Sequence, residues 1–531
     1  MLHTKQIALS AAIAAAFASA PAVAGPLDSL SQLGATYFHS SAVGSAAGSA
    51  NFGAEIGAYD ALTSTLWVSG VSGVDVLNVT ASGLTFNSRI DVSSFGAINS
   101  IAIYNGVAAF AIESTTNREL PGVVQFYDTS TRSLSSGVNN VQVGSLPDML
   151  TFTADGSKLL VANEATPNVY KQINPSASDP LGGVSIINMA NRSVTTLDLT
   201  ANNFAGGAIN TSGSGLRTTA VFNYEPEYIA VNSTGTMAYV TLQEHNALAM
   251  LDLTTNKYTG IVGLGLKDYN LAANGNVTPI SNAIDSTDRP SGTIALTNQA
   301  LKGAYQPDAI ATYQVGGQTY LVMANEGDAQ DQNTPSDVDR ASTVPSLGIT
   351  GDAARINVIK DMSSPGNVVT MGGRSFSIRD AAGNLVYDSG NILDAQAIAS
   401  GIYDDGRSDD KGVEPEGVTL QTINGRTYAF VGLERTTKGA LAVFDITDPA
   451  NAAFVKMIVT DGTTRPEGLI TFVKDNNVYL AISNEGNGGL AAVGMSTALY
   501  TLAPVPEPET WAMLLSGLGL LGLRARRRKT A

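Results

Sequence analysis

One motif recurs along this chain and limits what it can become. A proline is followed by an acid, a short apolar strand, a turn, and a second apolar strand that ends on a carboxylate. The motif starts at Pro147-Asp148, Pro226-Glu227, Pro307-Asp308, Pro415-Glu416 and Pro466-Glu467, and ends at Glu164, Glu244, Glu326, Glu434 and Glu485. The proline-to-glutamate spacing therefore stays between 17 and 19 residues. A weaker copy runs from Ile98-Asn99 to Glu113, and a further start lies near Glu55-Ile56, ahead of Leu66-Trp67-Val68. A third apolar strand follows most copies (VVQFYD, VSIIN, ALAMLDL, ALAVFDI), with turn residues such as Ala154-Asp155-Gly156 and Ile423-Asn424-Gly425 between strands. A meander of three or four strands cannot cover both its faces alone, whereas a row of them can by closing on itself. The expectation is an all-β chain folded as a β-propeller. Six clear copies plus one give seven blades, with six or eight as the neighbouring counts. A tandem of β-sandwiches would not repeat the same Pro-acid start and Asn-Glu finish. Uneven spacing between copies predicts long loops or small insertions on one face, between Lys267 and Ala300 and between Gly327 and Lys411.

The geometry of such a ring gives the carboxylates a common address. The first strand of each blade lines the channel and the second returns antiparallel to it. Asp148, Glu227, Asp308, Glu416 and Glu467 at strand starts should thus meet Glu113, Glu164, Glu244, Glu326, Glu434 and Glu485 at strand ends, all near one opening. So many carboxylates cannot ionise together without compensation. Hard cations are the natural compensation, Ca²⁺ before Mg²⁺, because flexible carboxylates suit high coordination numbers. Asn163, Asn325 and Asn484, each beside one of these acids, would add carbonyl oxygens. The competing reading for any one acid is a turn cap, or an ion pair with Arg407, Lys411, Arg435 or Arg465. Arg407, Lys411 and Arg435 are also candidates to hold an anion such as a substrate phosphate.

Composition narrows the chemistry. Gly is 54 of 531 residues and only 14% are charged, which suits a turn-rich β protein. The absence of cysteine removes disulfides, thiolate nucleophiles and Cys-ligated metals. Only His39 and His245 lie in the body of the chain, so a histidine-based metal centre is not expected. No Gly-x-Ser-x-Gly, HExxH or phosphate-cradling glycine loop occurs. A net charge of −16 repels nucleic acid and anionic lipid, and favours divalent cations or basic partners.

The two ends differ from the body. Lys5, the apolar run from Ile7 to Ala20, and Ala22-Val23-Ala24 read as a signal peptide over residues 1–24, cut by signal peptidase before Gly25. The body spans 25–503. The tail, 504–531, carries Pro506-Glu507-Pro508, then an apolar stretch from Trp511 to Leu523, then the basic run Arg524, Arg526, Arg527, Arg528 and Lys529. The apolar stretch is short for a bilayer span and serves as a transient foothold in the membrane. These three parts in this order resemble the PEP-CTERM sorting signal. That resemblance implies cleavage by an exosortase in a Gram-negative host that builds an extracellular polysaccharide matrix.

The body resembles the choice-of-anchor I domain family. The resemblance rests on EPEYIAVNSTGTMAYVTLQEHNALAMLDL, YQPDAIATYQVGGQTYLVMANEGDAQD, RSDDKGVEPEGVTLQTINGRTYAFVGLERTTKGALAVFDITDP and RPEGLITF with YLAISNEG. It implies one propeller-like domain joined to a surface anchor. Relatives among the cell-surface glycoproteins of skeleton-forming mesenchyme imply calcium-rich surroundings, and some members carry a phosphatase- or phytase-like label. GDAQDQNTPSDVDR departs from the family in lacking paired acids after its GDA. The first functional reading is a non-catalytic surface or matrix protein that binds Ca²⁺, and polysaccharide or another surface protein, at the channel mouth, with no organic cofactor. The second is a calcium-dependent phosphoesterase similar to β-propeller phytases. A lactonase-like hydrolase with one channel Ca²⁺ is third. A Lys/Arg cluster beside the acids favours the phosphoesterase, and an all-acid mouth favours binding.

Overall fold

The computed structural model describes Leu27 and residues 30–39, 54–170, 174, 176–217, 224–270, 281–288, 294–329, 336–486 and 494–504. Seven of its sheets are built on four-stranded antiparallel meanders, and the innermost strand of each comes first in its chain segment. These innermost strands are Gly57–Asp60, Ile98–Tyr104, Pro147–Phe152, Ile229–Val231, Ile310–Val315, Pro415–Ile423 and Pro466–Lys474. Each lies against the next in chain order, and Pro466–Lys474 lies against Gly57–Asp60, so the ring closes as a β-propeller. The second strands, such as Lys158–Asn163 and Arg426–Leu433, are covered on both faces by neighbouring sheets. They therefore read as unbroken apolar runs rather than as alternating ones. Large side chains fill the wedges between sheets: Trp67 meets Phe110 at 6.2 Å between the first two, and Phe376 meets Phe444 at 4.5 Å between the fifth and sixth.

The last sheet borrows its outer edge from the start of the chain. Ser31–Gln32 and Tyr37–Phe38 pair antiparallel with Ser496–Pro504, placing Ser31 opposite Thr501 and Phe38 opposite Ser496. His39, the next residue, locks this closure. Its Nδ1 lies 2.8 Å from Asp75 Oδ2 and its Nε2 lies 2.8 Å from Thr497 Oγ1. Asp75 also accepts both arms of Arg89, at 2.6 and 2.9 Å. Burial holds the imidazole below its usual pKa against the pull of Asp75. The Ser496–Pro504 strand starts beside Asn484 and ends beside Asn477, so it runs from the Glu485 end of the sheet to the hairpin end. Ser31 and Pro504 therefore both sit toward the face away from the strand-end glutamates.

The regions expected as loops or small insertions carry their own structure. Leu266–Asp268, Lys302–Ala304, Val338–Arg340, Asn357–Ile359 and Val369–Thr370 form an extra small sheet, and Ile392–Ala399 is helical. Tyr269, Ile284, Leu301, Ile356, Val358 and Val368 give this insertion a core of its own. Arg374, 1% exposed, donates to the carbonyls of Asp285, Ser408 and Asp410 and so clamps the acid-rich YDDGRSDDKG segment. No helix among the described residues is long and apolar enough to cross a membrane. The predicted signal peptide and the sorting residues Pro506, Glu507, Pro508, Arg526, Arg527 and Arg528 lie outside the described residues.

Candidate functional site at the channel mouth

The repeat has a backbone explanation. The residue before the proline is left-handed in four copies: Leu146 (φ 43°), Gln306 (φ 44°), Glu414 (φ 50°) and Arg465 (φ 57°). That conformation is costly for a non-glycine residue, and more so before proline. It turns the residue's carbonyl onto the amide that closes the motif. The N–H groups of Glu164, Glu434 and Glu485 donate to the carbonyls of Leu146, Glu414 and Arg465, each at 2.9 Å, and Gly327 N–H donates to Gln306 at 3.0 Å. The ladder then shifts register between Pro147 and Leu150, Pro415 and Val418, and Pro466 and Leu469. The acid after each of these prolines sits within that irregularity, where the strand bends. Gly417 and Gly468 follow two of the acids because neighbouring first strands nearly touch there. A Cβ would stand 2.2 Å from Glu467 O and 2.0 Å from Glu55 O respectively.

The acids from strand starts and strand ends converge. Glu227 experiences the charge of Glu164, Glu244, Asp148 and Asp308, and Glu416 that of Glu434, Glu467, Glu326 and Asp308. Burial first, and mutual repulsion second, hold Glu227, Glu244, Asp308, Glu416 and Glu467 well above the carboxylate range. The same causes push Asp148 up to about 8, and burial pushes Glu326 up to about 7 despite Lys411. Glu113 and Glu164 are raised by burial. Glu55 joins the group, pushed up to about 8 by burial and by Glu485, Asp148 and Glu113. It marks the start of the first sheet but has no proline before it, so the motif does not single it out. Glu414 was missed because it precedes a proline rather than following one; it is fully buried.

Two triads stand out. Carboxylate oxygens of Asp308, Glu326 and Glu416 lie within 4.8 Å of one another, as do those of Glu326, Glu414 and Glu434. Oε2 of Glu416 and Oε2 of Glu244 are shut off from solvent without a hydrogen-bond donor.

The basic candidates are present but engaged. Lys411 Nζ meets Glu326 at 2.6 Å and Glu414 at 2.9 Å, and Arg407 meets Glu414 at 2.6 Å. Arg435 meets Glu434 at 3.0 Å, and Arg465 bridges Glu434 at 2.7 Å and Glu485 at 3.4 Å. Burial opposes the Lys411 charge, yet Glu326, Glu414 and Asp328 hold its pKa well above the usual value. One sector of the mouth is thus a network of paired charges. The sector of Asp148, Glu164, Glu227 and Glu244 makes no ion pair among the described residues.

The three asparagines expected to add ligand oxygens face elsewhere. Asn163 Oδ1 accepts from Gly144 N–H at 2.9 Å, and Asn325 Nδ2 donates to Ser375 Oγ at 3.2 Å. Asn484 Nδ2 donates to the carbonyls of Ile482 and Ser496. Each precedes a strand-end acid by one residue, so it projects on the other side of the strand and stitches the sheet together. His245 is 3% exposed and burial lowers its pKa to about 3, so it stays neutral against the Tyr224 ring at 4.4 Å.

No curated protein sequence matches the chain. Among solved structures it is similar to Kuenenia stuttgartiensis hydrazine synthase, with 10% identity and TM-score 0.44, covering 84% of this chain and 96% of that one. It is likewise similar to the Neurospora crassa Pan2 WD40 domain, with 11% identity and TM-score 0.44, covering 90% and 96%. The PEP-CTERM protein-sorting motif matches residues 504–529, which marks an exported cell-surface protein processed by an exosortase. The choice-of-anchor I domain profile matches residues 55–449, from the acid that opens the first sheet to the turn before the last strand of the sixth, and the chain belongs to that family.

Proposed function

We propose that this exosortase-sorted surface propeller binds a divalent cation, Ca²⁺ in first place, at the carboxylate mouth of its channel, and through that mouth engages extracellular polysaccharide or another surface protein. In this reading signal peptidase releases the chain before Gly25, the tail contacts the membrane transiently, and the body from 25 to 503 ends on the outer surface or in the matrix of a Gram-negative bacterium. The observation that carries the cation site is the Asp308–Glu326–Glu416 triad, three carboxylates with oxygens within 4.8 Å of one another, one of which, Glu416, has a buried oxygen that lacks any donor. Oxygen-only ligands on mobile carboxylates match calcium's preference. A calcium titration of the chelator-treated protein by calorimetry tests it. Saturable binding that weakens in Glu416→Gln supports the site, and no heat up to millimolar calcium removes it.

A calcium-dependent phosphoesterase is the second reading, favoured by Lys411, Arg407, Arg435 and Arg465 standing beside the acids. It ranks second because each of these cations already holds a glutamate, so a phosphate would have to displace a carboxylate to be gripped. Turnover of a simple phosphate monoester in the presence of Ca²⁺, lost in Lys411→Gln, would reverse the ranking.

A further inference from the structure

Between the second and third sheets the mouth opens into a cavity of about 450 Å³ that the cation site does not use. Its walls carry Glu113, Asp148 and Glu164, the amides of Asn99 and Asn168, the hydroxyls of residues 114–116, and the guanidinium of Arg118; Leu146 is its one aliphatic residue. Arg118 is the unexplained member. Glu113, Asp148 and Glu164 all feel its charge, yet it forms no ion pair with any of them among the described residues. Its Nε is closed off from solvent and has no hydrogen-bond partner. A cation that faces three carboxylates without touching them leaves a gap with donors on one side and acceptors on the other.

The wall around that gap is built in advance. Glu119 Oε1 accepts from Asn168 N–H at 2.7 Å, Asn168 Nδ2 donates to Asn117 Oδ1 at 2.6 Å, and Asn117 Nδ2 donates to Glu119 Oε2 at 3.2 Å. Asn99 Nδ2 is tied to Pro147 O at 3.2 Å. Ser145 Oγ donates to Glu119 O at 2.8 Å and fixes the loop from below. A preformed polar cavity loses little entropy when it is filled.

The chemistry of the lining selects the occupant. Three carboxylates repel an anion, while a bare metal ion or an amine, which calls only for acceptors, would leave Arg118 and the amide and hydroxyl donors of the wall unmatched. An apolar molecule would find only Leu146. A compound whose every polar group both donates and accepts would satisfy the arginine, the amides, the hydroxyls and the carboxylates together. We propose that this cavity binds a neutral saccharide unit through its hydroxyl groups. This rests on the reading of the mouth as a binding face, and names the ligand class for one part of it.

The test uses the full chain in calcium-containing buffer and a panel of neutral oligosaccharides (glucose, galactose, mannose and N-acetylglucosamine oligomers), read by saturation-transfer NMR and calorimetry. At least one neutral sugar should bind saturably, and Arg118→Gln should weaken it about tenfold or more while leaving calcium binding unchanged. Thr115→Ala, at an exposed position on the rim, gives a second reading should Arg118→Gln fold poorly. Glu416→Gln should weaken calcium binding and spare the sugar, so the two sites can fail separately. The proposal is overturned if no neutral sugar binds, if binding is indifferent to both rim variants, or if uronate or phosphorylated oligomers bind in preference.

Discussion

Asp75 is the residue on which the ring closure turns. It is fully buried, it takes both arms of Arg89, and it orients His39 toward Thr497 on the last strand. Burial raises its pKa, but the bonds from His39 and Arg89 outweigh that and leave it below the usual value. Asp75→Asn removes the charge while leaving Arg89 in place, and breaking a buried pair in this way costs about 3–5 kcal/mol. The expected outcome is a loss of that size in urea or guanidinium unfolding. Two glycines give a sharper contrast. In Gly468→Ala the new methyl would meet the Glu55 carbonyl at 2.0 Å, whereas in Gly57→Ala the nearest atoms are 3.7 Å away. The first is expected to lose about 3 kcal/mol or more, since neighbouring backbones must separate, and the second to stay within about 1 kcal/mol. Equal thermal midpoints for the two variants would refute the close-approach account of the Pro-Glu-Gly sequences.

At the scale of the element, the hairpin from proline to glutamate was legible because its length is set by two strands and a turn. A spacing of 17 to 19 residues brings the second strand's end back to the first strand's start, and the acids there meet as expected. What was not legible has physical reasons. The left-handed residue before proline is Leu, Gln, Glu or Arg, because its task is done by a backbone carbonyl that leaves no signature in the side chain. The pairing of Lys411 with Glu326 spans 85 positions, which no local pattern reports. The small sheet is made of strands of two or three residues, one pairing being the parallel contact of Lys302–Ala304 with Val369–Thr370, too short for a two-residue alternation to show. The N-terminal strands invite their own test. Deleting residues 27–38 uncovers the outer edge of Ser496–Pro504 and removes its partners. The truncated chain is expected to melt lower and to self-associate through the bare edge in size-exclusion chromatography.

The whole molecule stores protons at its mouth. Burial and neighbouring carboxylates push Asp148 and Glu55 up to about 8, and burial pushes Glu326 up to about 7, against ordinary values of 3.8 for aspartate and 4.5 for glutamate. For acids with raised values, the folded state binds protons that the unfolded state has released. Their penalty is absent below about pH 4, grows as pH rises, and is complete only above about pH 8. The metal-free protein is therefore expected to lose thermal stability between about pH 5 and about pH 8, and calcium to flatten that slope. Calcium binding should also release protons, seen as a buffer-dependent heat in calorimetry. A flat pH profile without metal would show that the acids are not forced together.

Ser31 and Pro504 both lie toward one face, and the strand-end glutamates mark the other. The last strand ends at Pro504 and the apolar stretch of the sorting motif begins at Trp511, so the six residues 505–510 separate them. Six residues of chain reach about 20 Å at most. Before the tail is cut, such a tether would act like a short stem under a bowl, holding the base toward the lipid and leaving the bowl open to the medium. Since the chain has no cysteine, single ones can report this directly on cells that retain the tail. A membrane-impermeant maleimide should reach Thr115→Cys on the rim readily, and Asn476→Cys at the base only after the tail is cut.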